Sequence, residues 1–268
     1  MRSEQELKEL VHSKYSAIAQ STNKASGCCD TSCCGPSDEV YTLMADEYSG
    51  LEGYNQDADL GLGCGLPTQF AQIKPGNTVL DLGSGAGNDC FVARHETGEK
   101  GQVIGVDFSE AMIARARTNV AKLGFNNVEF RHGDIENLPV ASNSVDVVVS
   151  NCVLNLVPNK ANVFAEIYRV LKPGAHFSIS DIVIEGDLPP ALQEAAELYA
   201  GCVSGAIQKT DYLQLIKDAG FTEVTLQKEK PIVLPEEVLQ QYLSPADVEV
   251  AKQKLGDISS VTVFGKKG

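Results

Sequence analysis

From residue 76 onward the chain alternates two hydrophobic rhythms. Short apolar runs bounded by turn formers, at Thr78–Leu82, Gln102–Val106, Val128–Arg131, Val145–Ser150 and Ala175–Ile184, read as strands. Between them, apolar residues recur at helical spacing. Asn88–Glu96 reads as one helix. Ser109 caps another, whose inner face is Ile113, Ala116, Val120 and Leu123 and which stops at Gly124. Phe164, Ile167 and Leu171 mark a third, closed by Lys172-Pro173-Gly174. Strands that alternate with helices predict a parallel sheet covered on both faces. Beyond residue 184 the pattern gives helices at Pro190–Tyr199, Asp211–Ala219, Pro235–Leu243 and Ala246–Leu255, with strands from Val224 and at Ser259–Phe264. The two late strands are expected to close the same sheet.

Upstream the pattern changes. Leu7, Leu10, Val11, Tyr15 and Ile18 fit an amphipathic helix over residues 1–19, and residues 20–40 are dense in Ser, Asn, Gly and Cys and predict a flexible loop. This divides the chain into a helix with a Cys-rich segment (1–40), a core (41–186), and an insert covering the substrate followed by the closing strands (187–268). The formal charge of −14 opposes a nucleic-acid or anionic-membrane partner. No apolar run approaches the length of a membrane span, and the first ten residues carry no apolar signal core, so a cytoplasmic protein is expected. Its eight cysteines are then reduced thiols, and four histidines are too few for a His-rich metal site.

The first strand runs into Asp81-Leu82-Gly83-Ser84-Gly85-Ala86-Gly87, where glycines let the backbone turn sharply and approach a ligand. Asp107 ends the second strand, where a carboxylate can accept both hydroxyls of a ribose. A dinucleotide fingerprint would place glycine at position 88, which is Asn88, and this opposes a nicotinamide oxidoreductase. Asp81-x-Gly-x-Gly-x-Gly87, Asp107, Gly133-Asp134 and Lys172-Pro173-Gly174 together resemble the class I S-adenosylmethionine-dependent methyltransferases over about residues 45–185. The resemblance implies a Rossmann-like α/β sheet in the order 3-2-1-4-5-7-6, with strand 7 antiparallel. It implies that Asp81, Gly83, Ser84, Gly85 and Gly87 form the turn holding the methionine part of the cofactor. It further implies that Asp107 binds the ribose, that Asp134 and Ile135 flank the adenine with Phe108 and Met112 near its faces, and that Asn151 lines the site.

On that fold the cysteines take on meaning. Cys152 follows the fourth strand at its ligand-facing end, Cys64 precedes the sheet in Gly63-Cys64-Gly65, and Cys202 lies in the insert that would cover the cofactor mouth. Convergent thiolates bind soft ions. Cys90, beside Phe91 and Val92, reads instead as a small buried hydrophobe. Gly63-Cys64-Gly65, Asn88-Asp89-Cys90, Ser150-Asn-Cys-Val-Leu-Asn-Leu-Val-Pro158 and Cys202-Val-Ser-Gly-Ala206 resemble the arsenite methyltransferases over about residues 33–265. That resemblance implies that trivalent arsenic is bound by Cys64, Cys152, Cys202 and Cys34, or Cys33 in place of Cys34. It also implies methylation of arsenite and then methylarsenite, with a thiol such as thioredoxin or glutathione as reductant.

This chain departs from some members in carrying Gly201 before the lid cysteine and Leu62 before the Gly-Cys-Gly loop; neither change removes a thiol. Cys28, Cys29, Cys33 and Cys34 crowd into seven residues and close poorly around a tetrahedral ion, so no zinc is expected; metalloid capture or no role are the other readings. Two competing functions remain at this stage. A methyltransferase of a small organic acceptor needs none of the thiols at 64, 152 and 202. A soft-metal thiol-binding module needs neither Asp107 nor the glycine turn.

Overall fold

The computed structural model describes residues 4–20, 47–186, 205–232 and 258–268, with single positions 240, 244 and 248. The helices expected at 190–199, 235–243 and 246–255 lie outside these residues or touch them only at those single positions, and the loop expected at 20–40 lies outside them except for Gln20, which ends a helix. Helix α1 spans Glu4–Gln20, and a short helix α2 spans Pro67–Phe70. There follow β1 (Thr78–Leu82), α3 (Asn88–Thr97), β2 (Gln102–Asp107), α4 (Glu110–Leu123), β3 (Val128–His132) and β4 (Val145–Asn151). After a single 3-10 turn at Leu154–Leu156 come α5 (Lys160–Val170), β5 (Leu171–Ile184), β6 (Ile207–Gln208), α6 (Lys209–Asp218), β7 (Phe221–Pro231) and β8 (Ile258–Lys267).

The sheet runs β3-β2-β1-β4-β5-β8-β7. β1 to β5 are parallel, while β8 is antiparallel to both β5 and β7. With the two-residue β6 set aside, this is the expected class I order. β6 pairs with Val183 and Ile184, where β5 has run past the end of β4. Its two residues are too short for any alternation to announce them. Leu80 and Leu82 face one core cluster, with Phe164 and Ile167 of α5 and Tyr212 and Ile216 of α6. Val79 faces the other, with Phe91 of α3 and Ile113 and Ala116 of α4. Both faces of the sheet are therefore dry, which is why its strands read as continuous apolar runs.

Three boundaries differ from expectation for local reasons. Leu171 is the buried first residue of β5 rather than the last of a helix face. It pairs with Val145, and the register then slips, so Lys172-Pro173-Gly174 is carried as an irregularity within the strand. β7 begins at Phe221 rather than Val224, because Glu223 at φ 51° breaks the pairing between Thr222 and Thr225. β8 extends to Lys267, whose ammonium donates to the carbonyls of Tyr168 and Leu171 and to Asn143 Oδ1.

Candidate active site above the sheet

The carboxyl ends of β1, β2 and β4 open into one cleft. The turn after β1 is tied to its neighbour by the Gly83 and Ser84 amides, which donate to the Val106 carbonyl at 2.8 and 3.0 Å. Asp107 closes the turn from the other side: Oδ2 accepts from the Gly85 amide at 2.9 Å and Oδ1 from the Ser109 amide at 2.8 Å. Burial pushes the Asp107 carboxyl above the usual range, opposed by those two amides and by His132 and His12. Each oxygen keeps acceptor capacity toward the cleft. Gly83, Ser84, Gly85, Asp107, Phe108 and Met112 all line the wall. Ser84 Oγ and Asn88 Oδ1, on the same wall, are buried and have no hydrogen-bond partner among the described residues. Two orphaned polar atoms beside a carboxylate acceptor fit a ligand with hydroxyl and amino groups, such as S-adenosylmethionine.

Other expected cofactor residues stand away from the wall. Gly87 is the left-handed entry to α3. Asp81 is 2% exposed below the turn and accepts from the Cys90 thiol at 3.2 Å. Its carboxyl is pushed well up by burial and then by Asp89. Ile135 is buried in the α5-side core. Asp134 is paired with Lys8 of α1 at 2.8 Å. Helix α1 lies across this rim: Tyr15 lines the cleft, His12 packs on Phe108 with ring centroids 5.6 Å apart, and Ser16 Oγ bonds Ser109 Oγ at 3.2 Å.

The thiol side is built by Asn151 at the end of β4. Its Oδ1 accepts from the Cys64 and Gly65 amides at 3.0 and 3.2 Å, and its Nδ2 donates to the Gly65 carbonyl at 2.8 Å. The same Nδ2 reaches Tyr48 Oη and Asp89 Oδ2. Tyr48 in turn donates to both Asp89 oxygens at 2.8 and 3.0 Å. Burial lifts the Asp89 carboxyl to about 6, against these two donors. Close approach explains both glycines of the cysteine loop. A Cβ at Gly63 would sit 2.6 Å from Asn151 Nδ2, and one at Gly65 would sit 2.5 Å from Ser180 Oγ. The Cys64 carbonyl is held from β8 by the Ser260 hydroxyl, and α2 is held by Ser178 donating to the Pro67 carbonyl.

Cys152 follows directly and lines the cleft. Its φ is 61°, a left-handed conformation unusual for a residue with a side chain, and its amide donates to the Ser180 carbonyl at 2.8 Å. Cys64 and Cys152 are both buried, and both thiols act electrostatically on the buried Tyr212 hydroxyl. Cys64 itself does not line the cleft wall. Cys33, Cys34 and Cys202 lie outside the described residues. Among the described residues no three His, Cys, Asp or Glu side chains gather as metal ligands, and no helix is long and apolar enough to cross a membrane. Tyr48 was not singled out from the sequence, Tyr15 was named only on a helix face, and Asp89 only within a motif. Tyr48 and Asp89 are paired across 41 residues, so only Asp89, one residue inside α3, carried a positional hint.

Comparison with known proteins agrees with this geometry. Residues 73–220 match a methyltransferase domain family. An arsenite methyltransferase of Halobacterium salinarum is 43% identical over 99% of this chain and 68% of its own length. One of Aquipseudomonas alcaligenes is 34% identical over 92% and 71%. An arsenic(III) S-adenosylmethionine methyltransferase from Chlamydomonas reinhardtii superposes with a TM-score of 0.63 at 31% identity, covering 86% of this chain and 73% of that one. With its sheet order, its glycine turn closed by Asp107 and this near-complete match, the chain belongs to the arsenite methyltransferase family.

Proposed function

We propose that this chain transfers methyl groups from S-adenosylmethionine to trivalent arsenic, first as arsenite and then as methylarsenite, with the arsenic held by cysteine thiolates. The observation that carries this reading is the meeting of two thiol-bearing segments on one strand pair. Asn151 clamps the Cys64 loop, and Ser180 holds Cys152 in its left-handed conformation. A small organic acceptor would not call for buried thiols at both places, and a mere thiol module would not call for Asp107.

In this reading Asp107 holds the ribose, the Gly83–Gly87 turn approaches the methionine part, and Phe108 and Met112 flank the adenine. When bound, the cofactor supplies an electrophilic methyl on a sulfonium. The chain's part is to hold arsenic. Trivalent arsenic offers three exchangeable positions and keeps a lone pair, so thiolates of Cys64, Cys152 and Cys202 leave that pair free to meet the methyl. Cys34 or Cys33 is the fourth thiol. Most of the acceleration then comes from positioning. A thiol such as thioredoxin or glutathione completes the cycle as reductant.

Valence divides the thiols. Methylarsenite has only two exchangeable positions. Cys64→Ser is therefore expected to abolish methylation of arsenite and spare that of methylarsenite, while Cys152→Ser and Cys202→Ser abolish both. Single-turnover transfer of labelled methyl to each substrate reads this out. Full arsenite activity in Cys152→Ser would overturn the site.

A further inference from the structure

Helix α1 presents one face to the rim of the cleft. Positions 8, 12, 15, 16 and 19 fall together at three- and four-residue spacing. Each of them meets the body of the protein. Lys8 Nζ donates to Asp134 Oδ2 at 2.8 Å and also pairs with Glu136. His12 packs on the Phe108 ring, Tyr15 lines the cleft, and Ser16 Oγ bonds Ser109 Oγ. The Ala19 carbonyl accepts from Arg115 of α4 at 3.4 Å, and Val11, on the same side, is buried. Asp134 follows β3, while Phe108 and Ser109 follow β2. From Lys8 to Ala19 the helix therefore runs about 16 Å across the carboxyl ends of those two strands.

These contacts account for the position of Asp134. Its Oδ1 accepts from the Glu136 amide at 2.9 Å and its Oδ2 from Lys8, so both oxygens are engaged by loop and helix. Neither Asp134 nor Ile135 lines the cleft. Tyr15 lines it instead, half-buried, on a wall shared with Asp107, Phe108 and Met112. Phe108 is fixed from two directions. His132 Nε2 donates to its carbonyl at 2.9 Å, and His12 packs on its ring. An aromatic ring beside a carboxylate acceptor suits a ligand that has a flat apolar face and hydroxyl groups. Adenosine has both.

We propose that α1 is the outer wall of the nucleoside subsite: Tyr15 bears on the adenosine of S-adenosylmethionine, His12 backs Phe108, and Lys8 ties the helix to the rim through Asp134 and Glu136. The proposal rests on the cofactor half of the reading above. It adds a wall from outside the matched methyltransferase domain, which begins at residue 73. Lys8 and Asp134 are 43% and 47% exposed, so their pairing is a weak, salt-screened tie that sets where the helix lies. Lys8 is thus a positioning residue, and Tyr15 is the one that meets the ligand.

The test is ligand binding to the full chain, read by displacing tritiated S-adenosylmethionine with unlabelled S-adenosylmethionine or with adenosine. Tyr15→Ala should weaken both ligands about tenfold, the value of one base–aromatic contact. The factor should be the same for both, because the lost contact lies on the part they share. Tyr15→Phe keeps the ring and should retain most of the affinity. Lys8→Glu sets a third acid against Asp134 and Glu136 and should weaken both ligands about threefold at low salt. Hydrogen exchange gives a second readout: each ligand should slow the amides of residues 12–19 in the wild type. Wild-type affinity in Tyr15→Ala, a loss confined to S-adenosylmethionine, or α1 amides that neither ligand slows overturns the proposal. A wild-type chain that binds no S-adenosylmethionine overturns the cofactor reading and the proposal with it. If Tyr15→Ala does not melt cooperatively, Lys8→Glu carries the same comparison from the surface.

Discussion

Cys152 combines a chemical role with a backbone cost. A side chain at φ 61° costs on the order of 1 kcal/mol that glycine avoids. Cys152→Gly should therefore be more stable than Cys152→Ala by about 1 kcal/mol, the reverse of the usual order within regular structure. Denaturant unfolding of the two variants checks this, and a more stable alanine variant would show that the conformation carries no strain. Asp107 makes the complementary case on the cofactor side. Losing its charged acceptors should weaken S-adenosylmethionine binding by about 2–4 kcal/mol, leaving arsenite binding intact, as separate calorimetric titrations of Asp107→Ala would show. Both residues could be picked out from the sequence because each stands where a strand ends, and strand ends are set by local pattern. Tyr48 could not. Its importance lies in donating to Asp89 across 41 residues, and nothing in the neighbourhood of Tyr48 signals that contact.

At the scale of elements, the Cys64 loop has little regular structure yet is held at many points. Asn151 alone makes contacts with Cys64, Gly65, Tyr48 and Asp89, and Ser260 and Ser178 add two more anchors. Asn151→Ala removes all of the first set and leaves the Asp89 carboxylate less supported. It should destabilise the fold by about 2–4 kcal/mol. It should also expose the Cys64 and Gly65 amides to rapid hydrogen exchange while β2 and β3 keep their protection; unchanged exchange at Cys64 and Gly65 would count against the clamp. From sequence Asn151 was expected to line the site. In the structure it lines the cleft and also holds the Cys64 loop, a task no local pattern announced. Helix α1 was equally visible as an amphipathic stretch, but no periodicity could show that Tyr15 reaches the cleft or that Lys8 engages Asp134.

For the molecule as a whole, buried carboxylates set the response to pH. Burial lifts Asp181 to about 7 and Asp89 to about 6, and pushes Asp81 up as well. The folded state thus binds more protons than the unfolded chain between the unfolded aspartate range near pH 4 and about pH 7, so stability falls as pH rises through that window. The acidic net charge of −14 acts in the same direction. The chain should be more stable at about pH 5.5 than at about pH 8, by on the order of a few kcal/mol, and should melt correspondingly higher. Asp181→Asn should flatten that dependence, and a melting temperature that climbs steadily toward pH 8 would contradict it. The fold at this scale was readable because a doubly covered parallel sheet writes itself as apolar runs. The charges inside it were not, since Asp81, Asp89 and Asp181 look in sequence like any other aspartates.

The position of β8 has a consequence for how the protein is made. It is the last strand of the sheet along the chain, yet it sits inside, bonded to β5 on one side and β7 on the other. While the polypeptide leaves the ribosome, the long edge of β5 lacks β8 until residues 258–267 emerge, and β7 lacks the strand it pairs with among the described residues. The Cys64 loop likewise cannot gain its Ser260 anchor before then. A nascent chain halted between residues 184 and 258 would hold the cleft-lining residues, the last of which is Leu156, beside an unpaired, sticky strand. Such a chain is a natural client for chaperones that shield open sheet edges.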